Sequence, residues 1–134
     1  MQPADPELIM VVNALGSGRK TKVVEPLIRA LKRKNALVRW SAASSLVWLR
    51  TKKAVEPLTS ALRDRSPMVQ STVVQAMHDS KFYRTAAAME PLRQIVLNQR
   101  INRHLPGLWR YAQTVLAELE KGSTETMPAK RKNR

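Results

Sequence analysis

The apolar positions of this chain recur in blocks. Val24-Glu25-Pro26-Leu27 returns as Val55-Glu56-Pro57-Leu58 and again as Met89-Glu90-Pro91-Leu92, with the prolines 31 and then 34 residues apart. A period of that size marks an array of small stacked units. After each proline, apolar residues fall at 0, +3 and +4: Leu27, Ala30 and Leu31, then Leu58, Ala61 and Leu62, then Leu92, Ile95 and Val96. That spacing is one face of a helix. A proline opens such a helix without loss, since first-turn amides have no intrahelical partner, and the preceding acid sits where the helix dipole favours negative charge. A charged turn comes next, Lys32-Arg33-Lys34-Asn35 or Arg63-Asp64-Arg65-Ser66. Beyond it lies a second helical stripe: Val38, Ala42, Leu46 and Leu49 in the first copy, and Val69, Val73 and Met77 in the second. The third copy matches with Leu108, Ala112, Leu116 and Leu119, after about five extra residues within 98–106.

No segment alternates apolar and polar residues over strand length. The pattern predicts helices near 6–15, 22–33, 36–50, 54–64, 67–78, 85–98 and 106–120. The expected fold is all-α, a short α-solenoid of about three helix pairs with a leading cap helix. Residues 1–21 form the cap helix and its turn, with Gly16-Ser17-Gly18 as the stop. The repeats occupy 22–120, divided at about 22–53, 54–84 and 85–120. Residues 121–134 are read as a disordered basic tail, because Lys121-Gly122-Ser123 breaks the pattern and the residues after it are polar and unpatterned.

The unit resembles the HEAT-like repeats of phycobilisome lyases. Val24-Glu25-Pro26-Leu27, Ala30-Leu31, Val38-Arg39, Ala42-Ala43 and Leu46 carry the likeness in the first copy. The second copy keeps Val55-Glu56-Pro57-Leu58, Ala61-Leu62, Pro67, Val69 and Met77, but has Gln70 where the arginine belongs and Val73-Val74 where the alanines belong. The third keeps Met89-Glu90-Pro91-Leu92 and then diverges. The resemblance spans roughly residues 22–120. It implies a stacked helical fold and a set of roles that runs from lyase subunits to scaffolds, regulators and nucleic-acid-acting proteins. It also points to a phycobiliprotein or another photosynthetic complex as partner.

Charge narrows the partner. Lys and Arg number 24 against 10 Asp and Glu, a net +14. Up to Glu120 there are nineteen basic and nine acidic residues, so the body itself is strongly basic. Such a surface draws in acidic macromolecules and speeds their encounter. The absence of cysteine removes disulfides, thiol catalysis and thiolate metal sites and fits a reducing compartment, so the expected location is cytoplasmic. No run of 18 apolar residues is present, so no membrane span is expected. Asp5 and Glu7 stand where a signal peptide would carry positive charge.

The basic residues gather in turns. Lys32, Arg33 and Lys34, then Arg63 and Arg65, then Arg100, Arg103 and His104 occupy the intra-repeat turns, which align along one edge of a solenoid. Arg19, Lys20 and Lys22, then Arg50, Lys52 and Lys53, then Lys81 and Arg84 form a second set between repeats. Trp40, Ser44, Val47 and Trp48 lie opposite the apolar stripe of their helix, where the second copy has Ser71, Gln75, His78 and Asp79 and the third has Arg110, Thr114, Ala117 and Glu118. Either the leading helix, with Leu8, Ile9, Val12 and Leu15, covers the tryptophans, or a partner does. Trp40, Trp48, Arg39, Lys32, Arg33, Lys34, Arg63, Arg65, Arg100, Arg103 and Arg110 are therefore the expected partner-binding residues.

Catalytic patterns fail. Gly16-Ser17-Gly18-Arg19-Lys20-Thr21 has the wrong spacing for a phosphate loop and comes after a helix rather than a strand. His78 and His104 have no second ligand at metal spacing, and Asp79 beside His78 is expected to diverge from it on a helix. The resemblance extends to DNA glycosylases with an acid and aromatics in a basic groove, a role for Trp40, Trp48 and Asp79, but the chain is too short to enclose a duplex, and base flipping needs a formed pocket. No cofactor, metal or catalytic residue is expected. The sequence reads as a non-enzymatic interaction or scaffold module docking on an acidic macromolecule, a protein before a nucleic acid. Nucleic-acid binding through the basic turns and a lyase-type enzyme subunit are the alternatives.

Overall fold

The computed structural model describes residues 20–132, with side chains from Lys22 to Gly122. The leading helix at 6–15 and its glycine turn lie outside the described residues. Within them the chain is all-α, with seven α-helices joined by short turns. In chain order these are α1 (Lys20–Ala30), α2 (Ala36–Leu49), α3 (Val55–Ser60), α4 (Pro67–Asp79), α5 (Met89–Leu97), α6 (Gln99–His104) and α7 (Pro106–Lys132). Single 3-10 turns at Lys52–Ala54, Ala61–Arg63, Lys81–Tyr83 and Ala86–Ala88 flank α3 and precede α5.

Each copy is a helix pair, and the pairs stack in two layers. The second helices α2, α4 and α7 lie side by side, while α1 packs on α2 and α5 on α7. One core runs through the stack. Leu27, Leu46, Leu58, Leu62 and Leu92 are fully buried, and Leu31 is half-buried against them. Val38, Ala42, Val69, Val73, Met77, Leu108, Ala112 and Leu116 fill the second-helix side. Ala42, Ala43 and Ser45 are buried on α2, which packs against both α1 and α4, and their small side chains allow close approach. Burying this much apolar surface is the main stabilising term.

The prolines do not open their helices. Pro26 is inside α1, six residues after its start, and α1 has no acid in its first turn. In α3 and α5 the proline is the third residue, because a 3-10 turn already leads into the helix. There Glu56 and Glu90 do occupy the first turn. The extra residues of the third copy form α6, a short helix that was not expected. Asn98 caps it by accepting from the amides of Arg100 (2.9 Å) and Ile101 (3.3 Å), and Ile101 anchors it in the core. The last helix also differs: its backbone continues to Lys132, past the expected end near residue 120. No atom lies within 4 Å of a Cβ built at Gly122, so nothing packed there forces a turn.

Helix ends are closed by side chains from elsewhere, which answers the need of the last carbonyls for partners. One position of the repeat does this three times with three chemistries. Arg39 Nη1 donates to the carbonyls of Arg33 (2.9 Å) and Lys34 (2.7 Å), just past α1. Gln70 Nε2 donates to Leu62 O at 3.0 Å, past α3. Trp109 Nε1 donates to Val96 O at 2.9 Å, near the end of α5. The second helices are closed from the linker that makes the 31-residue spacing 34. Tyr83 Oη donates to Val47 O of α2, and Arg84 donates to Met77 O (2.6 Å) and His78 O (3.2 Å) of α4 while pairing with Glu118 of α7.

Candidate docking face

Arg39 does not belong to the surface. It is 6% exposed. Beyond its two carbonyls, it forms a two-pronged ion pair with Asp64, Nε to Oδ2 at 2.8 Å and Nη2 to Oδ1 at 3.1 Å. Asp64 Oδ1 also accepts from Ser66 N at 2.8 Å, which shapes the turn before α4. The planar guanidinium fits this role because it offers several donors in fixed directions. The motif arginine is thus a clasp that ties the first intra-repeat turn to the second.

That clasp sets the electrostatics of the edge. Lys32, Arg33, Lys34, Arg63, Arg65, Arg100, Arg103 and His104 all lie on the three intra-repeat turns, at least partly open to solvent. The clasp draws the first two turns together, and a hollow of about 520 Å³ joins the second to the third, bringing Arg65, Arg100 and His104 to one mouth. The one acid in these turns, Asp64, is already bound to Arg39. The opposite edge is different. Arg84 is bound to Glu118, Lys53 lies 3.9 Å from Glu25, and the Arg50 guanidinium stands 5.1 Å above the Phe82 ring. Arg50 also takes the left-handed conformation that ends α2, with φ 53°. Part of the second basic set is therefore used within the fold.

The outer face of the second helices holds most of the exposed apolar side chains. Leu37 on α2, Met68 on α4, Leu105 before α7 and Tyr111 on α7 are exposed, with Trp48 at 62%. Trp40 is half-buried against the core and faces α4. With Met68, Ser71, Thr72, Gln75, Leu105 and Leu108 it lines a groove of about 610 Å³. Arg110 is exposed on α7, at the repeat position that Trp40 holds in α2. Whether the leading helix covers either tryptophan lies outside the described residues. Met68, Leu105 and Tyr111 are absent from the residues that the sequence pattern singles out. Leu37 and Met68 were legible in principle, as apolar residues directly before the buried Val38 and Val69.

The expected divergence of His78 and Asp79 does not hold. Asp79 ends α4, where the backbone turns extended at Ser80, and its Oδ1 lies 3.0 Å from His78 Nδ1. The His78 ring also stacks on Tyr111, centroids 4.3 Å apart. These are the contacts of a packing junction between α4 and α7. On the other side of the molecule a hollow of about 720 Å³ lies against the first helices, but it mixes Lys32 and Arg63 with Glu56 and Asp64. It favours neither sign of partner. No helix among the described residues is long and apolar enough to cross a membrane.

Comparison with known proteins agrees with the stacked pairs: the family model described as HEAT repeats matches residues 3–78, more than half of the chain. No curated protein matches it.

Proposed function

The chain belongs to the HEAT-repeat family, and we propose that it is a non-enzymatic interaction module that docks on an acidic macromolecule, a protein before a nucleic acid. The observation that supports this most directly is the meeting of two features on one side of the fold. The exposed apolar residues of the second-helix face adjoin a turn edge whose single acid is already bound. Aromatic and arginine anchors set in such surroundings carry much of the affinity of protein interfaces, and the surplus of positive charge selects for acidic partners and raises the on-rate. Nucleic acid is second because exposed apolar side chains, Met68 and Leu105 among them, adjoin the basic edge and suit a protein partner better than a phosphate backbone. The phycobiliprotein partner and the lyase-subunit role stand on the family resemblance alone. The cytoplasm is the proposed location, in keeping with a cysteine-free chain.

The test is a pull-down with the full chain at low and high salt, with and without nuclease. Capture of an acidic protein that survives nuclease and falls away with salt is the expected result. Capture that disappears with nuclease makes the nucleic-acid reading correct. Gel shifts with random DNA and RNA at two salt concentrations would then give the number of phosphates neutralised from the slope.

A further inference from the structure

The groove at Trp40 and the basic mouth at Arg65 are one feature. The two hollows share Pro67, His104 and Leu105 in their walls, so the apolar slot opens directly into the cationic end. Trp40, Met68, Leu105 and Leu108 supply the apolar walls. Arg65, Arg100 and His104 supply the charge. Asp64 is the only acid in either wall, and it is held by Arg39. Ser71, Thr72 and Gln75 on α4 add polar side chains to the lining of the slot.

Resting on the docking function proposed for the chain, we infer that this composite groove binds a short amphipathic acidic segment of a partner protein. Its apolar side chains lie between Trp40, Met68 and Leu105, and its carboxylates reach Arg65 and Arg100. Charge complementarity selects the occupant: a neutral apolar peptide would leave the arginine mouth unmatched, and a basic one would be repelled. The shape argues against a nucleic-acid strand. Such a strand needs a basic track with aromatic platforms for successive bases, whereas here one tryptophan faces aliphatic walls and the charge is confined to one end. A planar guanidinium also grips a carboxylate in two-pronged fashion, which suits the arginine mouth to Asp and Glu side chains.

The test uses the full chain and a fluorescein-labelled peptide of about four helical turns, with Leu and Phe on one helical face and Glu on the other. Controls are a scrambled peptide of the same composition and an oligo-dT of similar length. Anisotropy titrations at low and moderate salt should show the amphipathic peptide binding at least tenfold more tightly than the scrambled one. Met68→Asp should weaken it tenfold or more, and Arg65→Glu with Arg100→Glu should weaken it and flatten its salt dependence. Both sites are exposed, and circular dichroism melts check that these variants remain folded. Trp40→Ala adds a third probe from the half-buried wall. Equal binding of the two peptides, tighter binding of the oligo-dT, or indifference to Met68→Asp overturns the inference. If the peptide fails while a salt-sensitive acidic protein is still captured by the Met68→Asp chain, the general docking function stands and only this groove is wrong. If no acidic protein is captured either, both fall.

Discussion

At the residue scale, the buried charge is held by named partners. Arg39 and Asp64 are almost wholly withdrawn from water, with side chains 7% and 9% exposed. Removing one member of such a pair strands the other charge, so Arg39→Ala should cost about 3–5 kcal/mol, whereas replacing both with apolar residues of similar volume should cost less, the remaining loss being the donor of the Arg33 and Lys34 carbonyls. A double-mutant cycle by urea denaturation checks this, and a single-variant loss below about 1 kcal/mol would mean that the clasp is not what joins the turns. Tyr83 is the residue whose titration should be visible in stability. Burial pushes its hydroxyl above the usual value, and Arg50 only partly offsets this. The protonated phenol is therefore favoured by the fold. Its contribution is complete below about pH 10, the ordinary tyrosine value, and is lost as pH rises through the higher folded value. Tyr83→Phe should be less stable at pH 8, since it leaves the Val47 carbonyl without its donor, by about 1–3 kcal/mol. The gap to the unmodified chain should narrow above about pH 10. A constant gap from mildly to strongly alkaline pH would place the tyrosine's effect in packing alone.

At the element scale, α6 decides where the third turn goes. Its six residues are too few to be stable on their own. Asn98 at one end and Ile101 inside hold it against the stack. Asn98→Ala should cost about 1 kcal/mol as a lost helix cap. It should also raise amide exchange over residues 99–104 more than elsewhere, because the Asn98 side chain is what satisfies the first amides of α6. If exchange rises uniformly, the loss is global and α6 is not an independent unit. The same variant should weaken ligands that use Arg100 or His104. At the far end of the stack, α5 and α7 are clamped by Arg93, which pairs with Glu90 and Glu120 at 3.1 Å each. Gln94, and then Arg93, hold the Glu90 carboxyl below the usual carboxylate range. These groups are exposed, so the clamp aligns the helices more than it stabilises them.

At the scale of the whole molecule, each pair contacts its neighbours through one core, so damage in the middle should be felt on both sides. Leu58 is fully buried in the central pair. Leu58→Ala should cost on the order of 2–5 kcal/mol and leave a single thermal transition. An unchanged melt would mean that the register of the repeats is misplaced, and two separated transitions would mean that the pairs unfold independently. Charge acts at the same scale. With a net +14 on the chain, affinity for an acidic partner should fall steeply between low and moderate salt as screening shortens the reach of the field.

Apart from α6, the order and pairing of the described helices were legible in the sequence, because apolar residues at 0, +3 and +4 must face a common core whatever surrounds them. Leu27, Leu46, Leu58, Leu62 and Leu92 are buried for that reason. The charge of the turns was legible too, since turns are where a solenoid meets water. Three things depended on tertiary contact. Arg39 looks like a surface cation in the sequence and becomes a clasp because Asp64, 25 residues away, folds against it. Gln70 and Trp109 look unrelated to Arg39 and share its task, because each stands beside a helix end that lacks donors. The groove proposed for docking is assembled from α2, α4 and the junction of α6 with α7, segments that no local pattern brings together. Periodicity records which side of a helix is dry. Which polar groups meet across that boundary, and which apolar ones remain outside it, is decided only when the pairs stack.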